Sequence, residues 1–166
     1  MGLSFLITSD QYTIVAFGMV LLIPSAQPVY SREVKSRMYS PTAYYFASTL
    51  SSITVYCMYP ILVSALTFYP LDFTEGSITD MLQWMSIMIM MALVGLTVGQ
   101  FIGTVIYTSE IALQILTQSM TLIWLGAGLL ANTADTSNIL ILFLTYTSPL
   151  RYGCELSMRR ILAGKK

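Results

Sequence analysis

Histidine is absent from the 166 residues, and charged residues make up only 10% of them. The first absence removes His-based triads, imidazole-ligated metal and the usual acid–base group at neutral pH. The second removes a water-facing surface, because a soluble domain carries about 25% charged residues. Net charge is zero, so nucleic acid is not an expected partner. Two cysteines, Cys57 and Cys154, are too few for a zinc site or a disulfide framework. Cys57 lies inside an apolar run and reads as a packed thiol. Paired carboxylates at intramembrane spacing and nucleophile motifs are also missing, so no catalytic residue and no metal ligand is expected. No basic segment precedes an apolar one at the N-terminus, and no signal peptide is read there. Apolar sequence starts almost at once, at Gly2-Leu3-Ser4-Phe5-Leu6-Ile7, as in a chain cut into rather than begun.

What the chain has instead is long uncharged runs. No Asp, Glu, Lys or Arg occurs in Gln11–Ser31, Met38–Leu71, Met81–Ser109 or Ile111–Ala134, runs of 21, 34, 29 and 24 residues. A helix needs about 20 apolar residues to cross a ~30 Å hydrocarbon core. The expected fold is therefore all-α: a polytopic membrane helix bundle of four transmembrane helices plus a re-entrant or interfacial helix, in one domain. The expected spans cover residues 3–28, 44–68, 81–107 and 111–131. Pro24 and Pro28 fall near the end of the first span, where a helix about to stop tolerates them.

Charge sets the topology. The linker between spans one and two carries Arg32, Lys35 and Arg37 beside Glu33, which places it in the cytoplasm by the positive-inside rule. Pro41 suits the first turn of the next helix. The loop after span two holds Asp72, Glu75 and Asp80 and no base, as an outside loop does. Glu110 opens span four, where a helix N-terminus favours an anion. Only 15 uncharged positions separate Asp135 from Arg151, too few for a comfortable crossing; a re-entrant or interfacial helix fits better. Four crossings then leave a tail bearing Arg151, Arg159, Arg160, Lys165 and Lys166 outside, against the positive-inside rule. Either the last patch crosses, or the tail is basic for another reason.

Two patterns concern packing and polarity. Gly95, Gly99 and Gly103 form two overlapping G-x-x-x-G units, a smooth strip for close approach of another helix. Ser48, Thr49, Ser51, Ser52 and Thr54 make span two hydroxyl-rich; such groups bond back to their own helix or line a polar path.

Four stretches together resemble a known family. They are Phe5-Leu6-Ile7-Thr8-Ser9-Asp10-Gln11; Arg32-Glu33 followed by Tyr39 and Tyr44; Ala127-Gly128-Leu129-Leu130-Ala131-Asn132; and Tyr146-Thr147-Ser148-Pro149-Leu150-Arg151-Tyr152-Gly153. In that order they resemble the ABC-2 type transmembrane domain of G-subfamily ABC half-transporters, the white and breast-cancer-resistance type, over helices two to five. The resemblance implies a cytoplasmic coupling segment over residues 30–43, with Arg32, Glu33, Arg37, Tyr39 and Tyr44, resting on a nucleotide-binding domain. Arg37 stands where relatives often have glycine. It implies a substrate cavity lined by Ser9, Asp10, Thr13, Thr117, Thr121 and Trp124, closed outside by Leu129 and Leu130. Asp10 replaces a neutral amide of close relatives. An intramembrane carboxylate is by default a candidate functional group, although at the outer boundary it would simply be hydrated. The resemblance also puts residues 132–166 in an external loop, which decides for an outside tail.

These implications define the expected function: the membrane part of an ATP-driven exporter of lipids, sterols or amphipathic small molecules. It would be an integral multi-pass protein in the plasma or an internal membrane, working as a homo- or heterodimer. No G-x-x-x-x-G-K-[ST] loop occurs in these residues, so ATP and Mg would sit on a nucleotide-binding domain outside them, and no ATPase site is expected here. The alternative from a different class is a non-transporting tetraspan scaffold or an inhibitory partner subunit.

Overall fold

The computed structural model describes residues 2–68, 78–127, 143 and 145–163. Among the described residues run α1 (Gly2–Lys35), α2 (Pro41–Phe68), α3 (Ile78–Val105), α4 (Ser109–Gly126) and α5 (Pro149–Ala163). No strand occurs among the described residues. Helices dominate because a backbone in lipid must satisfy its own hydrogen bonds.

Three described helices, α1, α2 and α3, are long and apolar enough to cross a membrane. The fourth expected span is shorter. Helix α4 has 18 residues, carries Glu110, Gln114 and Gln118, and is capped at Ala127, whose N–H bonds to the Ile123 carbonyl. Leu129 and Leu130 lie outside the described residues. The C-terminal α5 packs against α1, α3 and α4. Its start is tied into the bundle: the Ser148 hydroxyl donates to the Ile123 carbonyl at 2.9 Å, and Gly153 lies against the Met91 thioether. The apolar patch expected to re-enter or lie at the interface, residues 139–150, falls partly outside the described residues.

The first span runs past its two prolines. Helix α1 continues through Pro24 and Pro28 to Lys35 and is 34 residues long. Each proline removes one backbone donor, and the rest of the ladder continues around it. Of the segment expected to couple, residues 30–35 belong to α1 and 41–43 to α2, leaving five residues between. The stop itself is a Schellman motif. Met38 N–H bonds to the Glu33 carbonyl at 3.3 Å and Arg37 N–H to the Val34 carbonyl at 3.0 Å. Arg37 holds the left-handed position of that motif, φ 54°, which explains why glycine suits it. Helix α2 restarts with Pro41 in its first turn, and the Ser40 hydroxyl accepts from the Ala43 N–H at 3.3 Å.

Helices α1 and α3 form the spine. They run parallel, with Gly95 against Tyr12, Gly99 against Ala16, and Gly103 against Ile23 and Met19. A side chain at Gly99 would come within 2.6 Å of the Ala16 carbonyl oxygen, so only glycine permits this spacing. Lipid supplies no hydrophobic drive between helices, and close packing is what holds them. Around the seam lie two buried clusters. One joins Tyr12, Ala16 and Val20 to Met91, Leu116, Met120 and Leu150; the other is Val15, Met19, Ala92 and Leu96. Helix α2 leans on α3 and touches α1 little. Its outer side chains, among them Phe46, Leu50, Val55 and Leu66, are exposed.

Candidate functional site

Helical spacing puts Leu6, Ser9, Asp10 and Thr13 on one stripe of α1. With Phe5, Ile7 and Trp124 of α4 they line a groove of about 400 Å³. Four of the six residues expected in a cavity, Ser9, Asp10, Thr13 and Trp124, therefore meet in one place. Thr117 and Thr121 do not join them; both are exposed on α4.

The polarity of the groove is concentrated in one group. Ser9 and Thr13 turn their hydroxyls back onto the Leu6 and Ser9 carbonyls, at 2.9 and 2.8 Å. Thr117 and Thr121 do the same, onto Leu113 and Thr117. Such back-bonded hydroxyls keep acceptor capacity but offer no free proton. The Asp10 carboxylate remains exposed and accepts one bond, from the Tyr59 hydroxyl of α2, at 3.0 Å. Tyr59 was not legible as a site residue: it lies 49 positions away, in a span whose face toward α1 the sequence does not mark. The Trp124 indole N–H is buried without a hydrogen-bond partner among the described residues, as are both amide atoms of Gln11. The arrangement offers one negative charge, an aromatic wall and an otherwise apolar trough. It can hold an amphiphile with a cationic or hydroxyl-bearing end.

A second candidate feature sits at the opposite, basic end. The Tyr39 hydroxyl donates to the Glu33 carboxylate. This bond, above the smaller effect of burial, pushes the Tyr39 pKa up to about 12. Tyr39 stacks on Tyr44, centroids 5.6 Å apart and planes within 7°, and Tyr30 also packs on Tyr44, tilted by 33° at 4.5 Å. The aromatic stack fastens the end of α1 to the start of α2. Arg32, Lys35 and Arg37 are exposed and make no ion pair among the described residues. Tyr30 is the member of this elbow that sequence reading missed. No group of three His, Cys, Asp or Glu able to hold a metal occurs among the described residues.

Residues 1–162 match the ABC-2 type transporter family. Over 148 residues the chain is 25% identical to ABC transporter G family member 25 of Arabidopsis thaliana. The alignment covers 89% of this chain and 22% of that protein, so the chain spans about a fifth of the length of the curated relative it matches.

Proposed function

The chain belongs to the ABC-2 type transporter family, and on that premise we propose that it is the membrane part of a G-subfamily exporter of lipids, sterols or amphipathic small molecules. The observation that carries this reading is the exposed Asp10 carboxylate in a groove faced by Trp124. A carboxylate within a membrane-spanning helix is costly and is by default a functional-site candidate. Two copies, or two related half-transporters, would bring two such grooves face to face about a two-fold axis. A nucleotide-binding domain would hold ATP and Mg and dock against the elbow, where Arg32, Lys35 and Arg37 are free to pair with acidic groups. Closure of that domain would then pull on α1 and α2 together.

The test is ATP-driven export by the full-length protein in vesicles, comparing a cationic amphiphile with an uncharged analogue of the same ring system. Asp10→Asn should lower kcat/KM for the cation by about tenfold, the loss of roughly 1.4 kcal/mol of charge interaction. Export of the neutral analogue should hold. If both substrates are exported as by wild type, Asp10 is not part of the path.

A further inference from the structure

A second cavity, of about 370 Å³, lies between the basic-side ends of α1, α2 and α3. It is separate from the Asp10 groove, being centred about 18 residues further along α1, or about 27 Å of helix. Leu22, Ile23 and Ala26 give it an apolar wall. Tyr30, Tyr44, Tyr45 and Tyr107 form an aromatic rim, the residue type that marks the lipid–water boundary. No Asp, Glu, Lys or Arg lines it.

Its polar groups are under-used. Elsewhere in the long helices the hydroxyls mostly bond one turn back, as Thr13, Thr54 and Thr104 do onto Ser9, Leu50 and Gln100. Ser48, half-buried in the cavity wall, makes no such bond. Thr49 accepts from the Gln100 amide at 3.2 Å. Gln27 reaches the Gly103 and Thr104 carbonyls only at 3.4 and 3.5 Å, the long limit of a hydrogen bond. Its amide oxygen has no donor among the described residues. In a hydrocarbon setting unmade hydrogen bonds are unfavourable, and these face a space large enough for a ligand. A charged headgroup would lose hydration there and find no counter-charge.

We propose that this cavity binds an uncharged, hydroxyl-bearing amphiphile taken from the leaflet on the basic side of the chain. Its hydroxyl pairs with Ser48 and Gln27, and its apolar body lies along Leu22, Ile23 and Ala26. The site does not depend on which substrate the Asp10 groove accepts. Because it lies beneath the contact of Tyr30 with Tyr44, an occupant braces the joint between α1 and α2. A sterol and a diacylglycerol share this chemistry.

The experiment uses the full-length protein in cell membranes, with photoreactive, clickable analogues of cholesterol, diacylglycerol and phosphatidylcholine. After irradiation, labelled peptides are mapped by mass spectrometry. One of the two neutral probes should label residues 22–31 or 41–49 well above phosphatidylcholine, and the probe that does so identifies the source. Ser48→Ala and Gln27→Leu should each lower that labelling about three- to tenfold, the loss of one hydrogen bond. Asp10→Asn should leave it unchanged. Ser48→Ala removes a single atom and keeps the fold, and surface expression verifies this. Equal labelling by phosphatidylcholine, labelling elsewhere only, or labelling untouched by both substitutions would each overturn the proposal.

Discussion

A methyl group at Gly99 tests how α1 and α3 are held. It would lie 2.6 Å from the Ala16 carbonyl oxygen and 2.8 Å from Met19 Cβ. The nearer obstacle is backbone and cannot rotate away. Restoring ordinary contact, which begins at 3.4 Å, separates the helices locally by about 0.8 Å, a gap that forfeits a quarter to a half of the dispersion well for each contact opened. Overpacking of this kind costs about 1–3 kcal/mol, and alanine's better helix propensity offsets up to about 1 kcal/mol of it. Gly99→Ala should therefore destabilise by about 1–2 kcal/mol. Gly95→Ala should cost more, since its methyl would overlap the Tyr12 carbonyl oxygen. Gly103→Ala should be close to neutral, because its nearest neighbour is the Ile23 side chain at 3.1 Å. Thermal unfolding of the purified full-length protein in detergent, followed by the fluorescence of buried Trp84, reads the order directly. A shift of about 2–4 °C per kcal/mol is expected for a domain of this size. A Gly99→Ala midpoint equal to wild type, or Gly103→Ala falling below Gly95→Ala, would refute the seam as the source of stability.

Three further outcomes follow from single contacts. Arg37→Gly should stabilise the fold by up to about 1 kcal/mol, because a left-handed L-residue carries a cost of roughly 1–2 kcal/mol, partly offset by glycine's entropy; an unchanged or lower midpoint would argue against strain at this turn. Tyr59→Phe removes the one bond to Asp10 and should cost about 0.6 kcal/mol, typical of an interhelical hydrogen bond in lipid; full stability of the variant would mean that the bond is idle. Tyr39 should be missing from the tyrosines that ionise near pH 10 in an ultraviolet titration. Its pKa is raised, so the stabilising effect of its bond is complete below pH 10 and is lost as pH passes about 12. Glu33→Gln should return the phenol toward its ordinary value, and an unaltered titration would exclude the carboxylate as the cause.

The sequence displays the architecture because hydrocarbon imposes a length on every helix. The uncharged runs mark α1, α2 and α3, and Pro41 marks where α2 begins. The end of α1 is less legible: prolines normally suggest a stop, yet in lipid the backbone has no better partner than its own helix. Helix α4 ends earlier than its uncharged run, because absence of charge does not by itself specify helix. Within the candidate site, Ser9, Asp10 and Thr13 come from the family resemblance, and helical spacing sets them on one stripe. Contacts made across helices are not legible in this way. Tyr59 on Asp10, Tyr30 on Tyr44 and Ser148 on Ile123 depend on crossing geometry, which local sequence does not encode.

The unbroken length of α1 has a mechanical consequence. The same rod carries Asp10 at one end and Glu33, bonded to Tyr39, at the other. From its tight contact with Gly95, at Tyr12, to Glu33 is 21 residues, or about 32 Å at 1.5 Å per residue. Were that contact the fulcrum, a tilt of about 5° would carry the elbow sideways by roughly 3 Å over such an arm. The arm toward Asp10 is very short, so the same tilt scarcely moves the carboxylate. On that fulcrum, large strokes at the basic end would become small, forceful adjustments at the groove, as in a long-handled lever. Pro24 and Pro28, both on the long arm, are where that handle has lost backbone bonds and where stroke would be absorbed before it reached the groove.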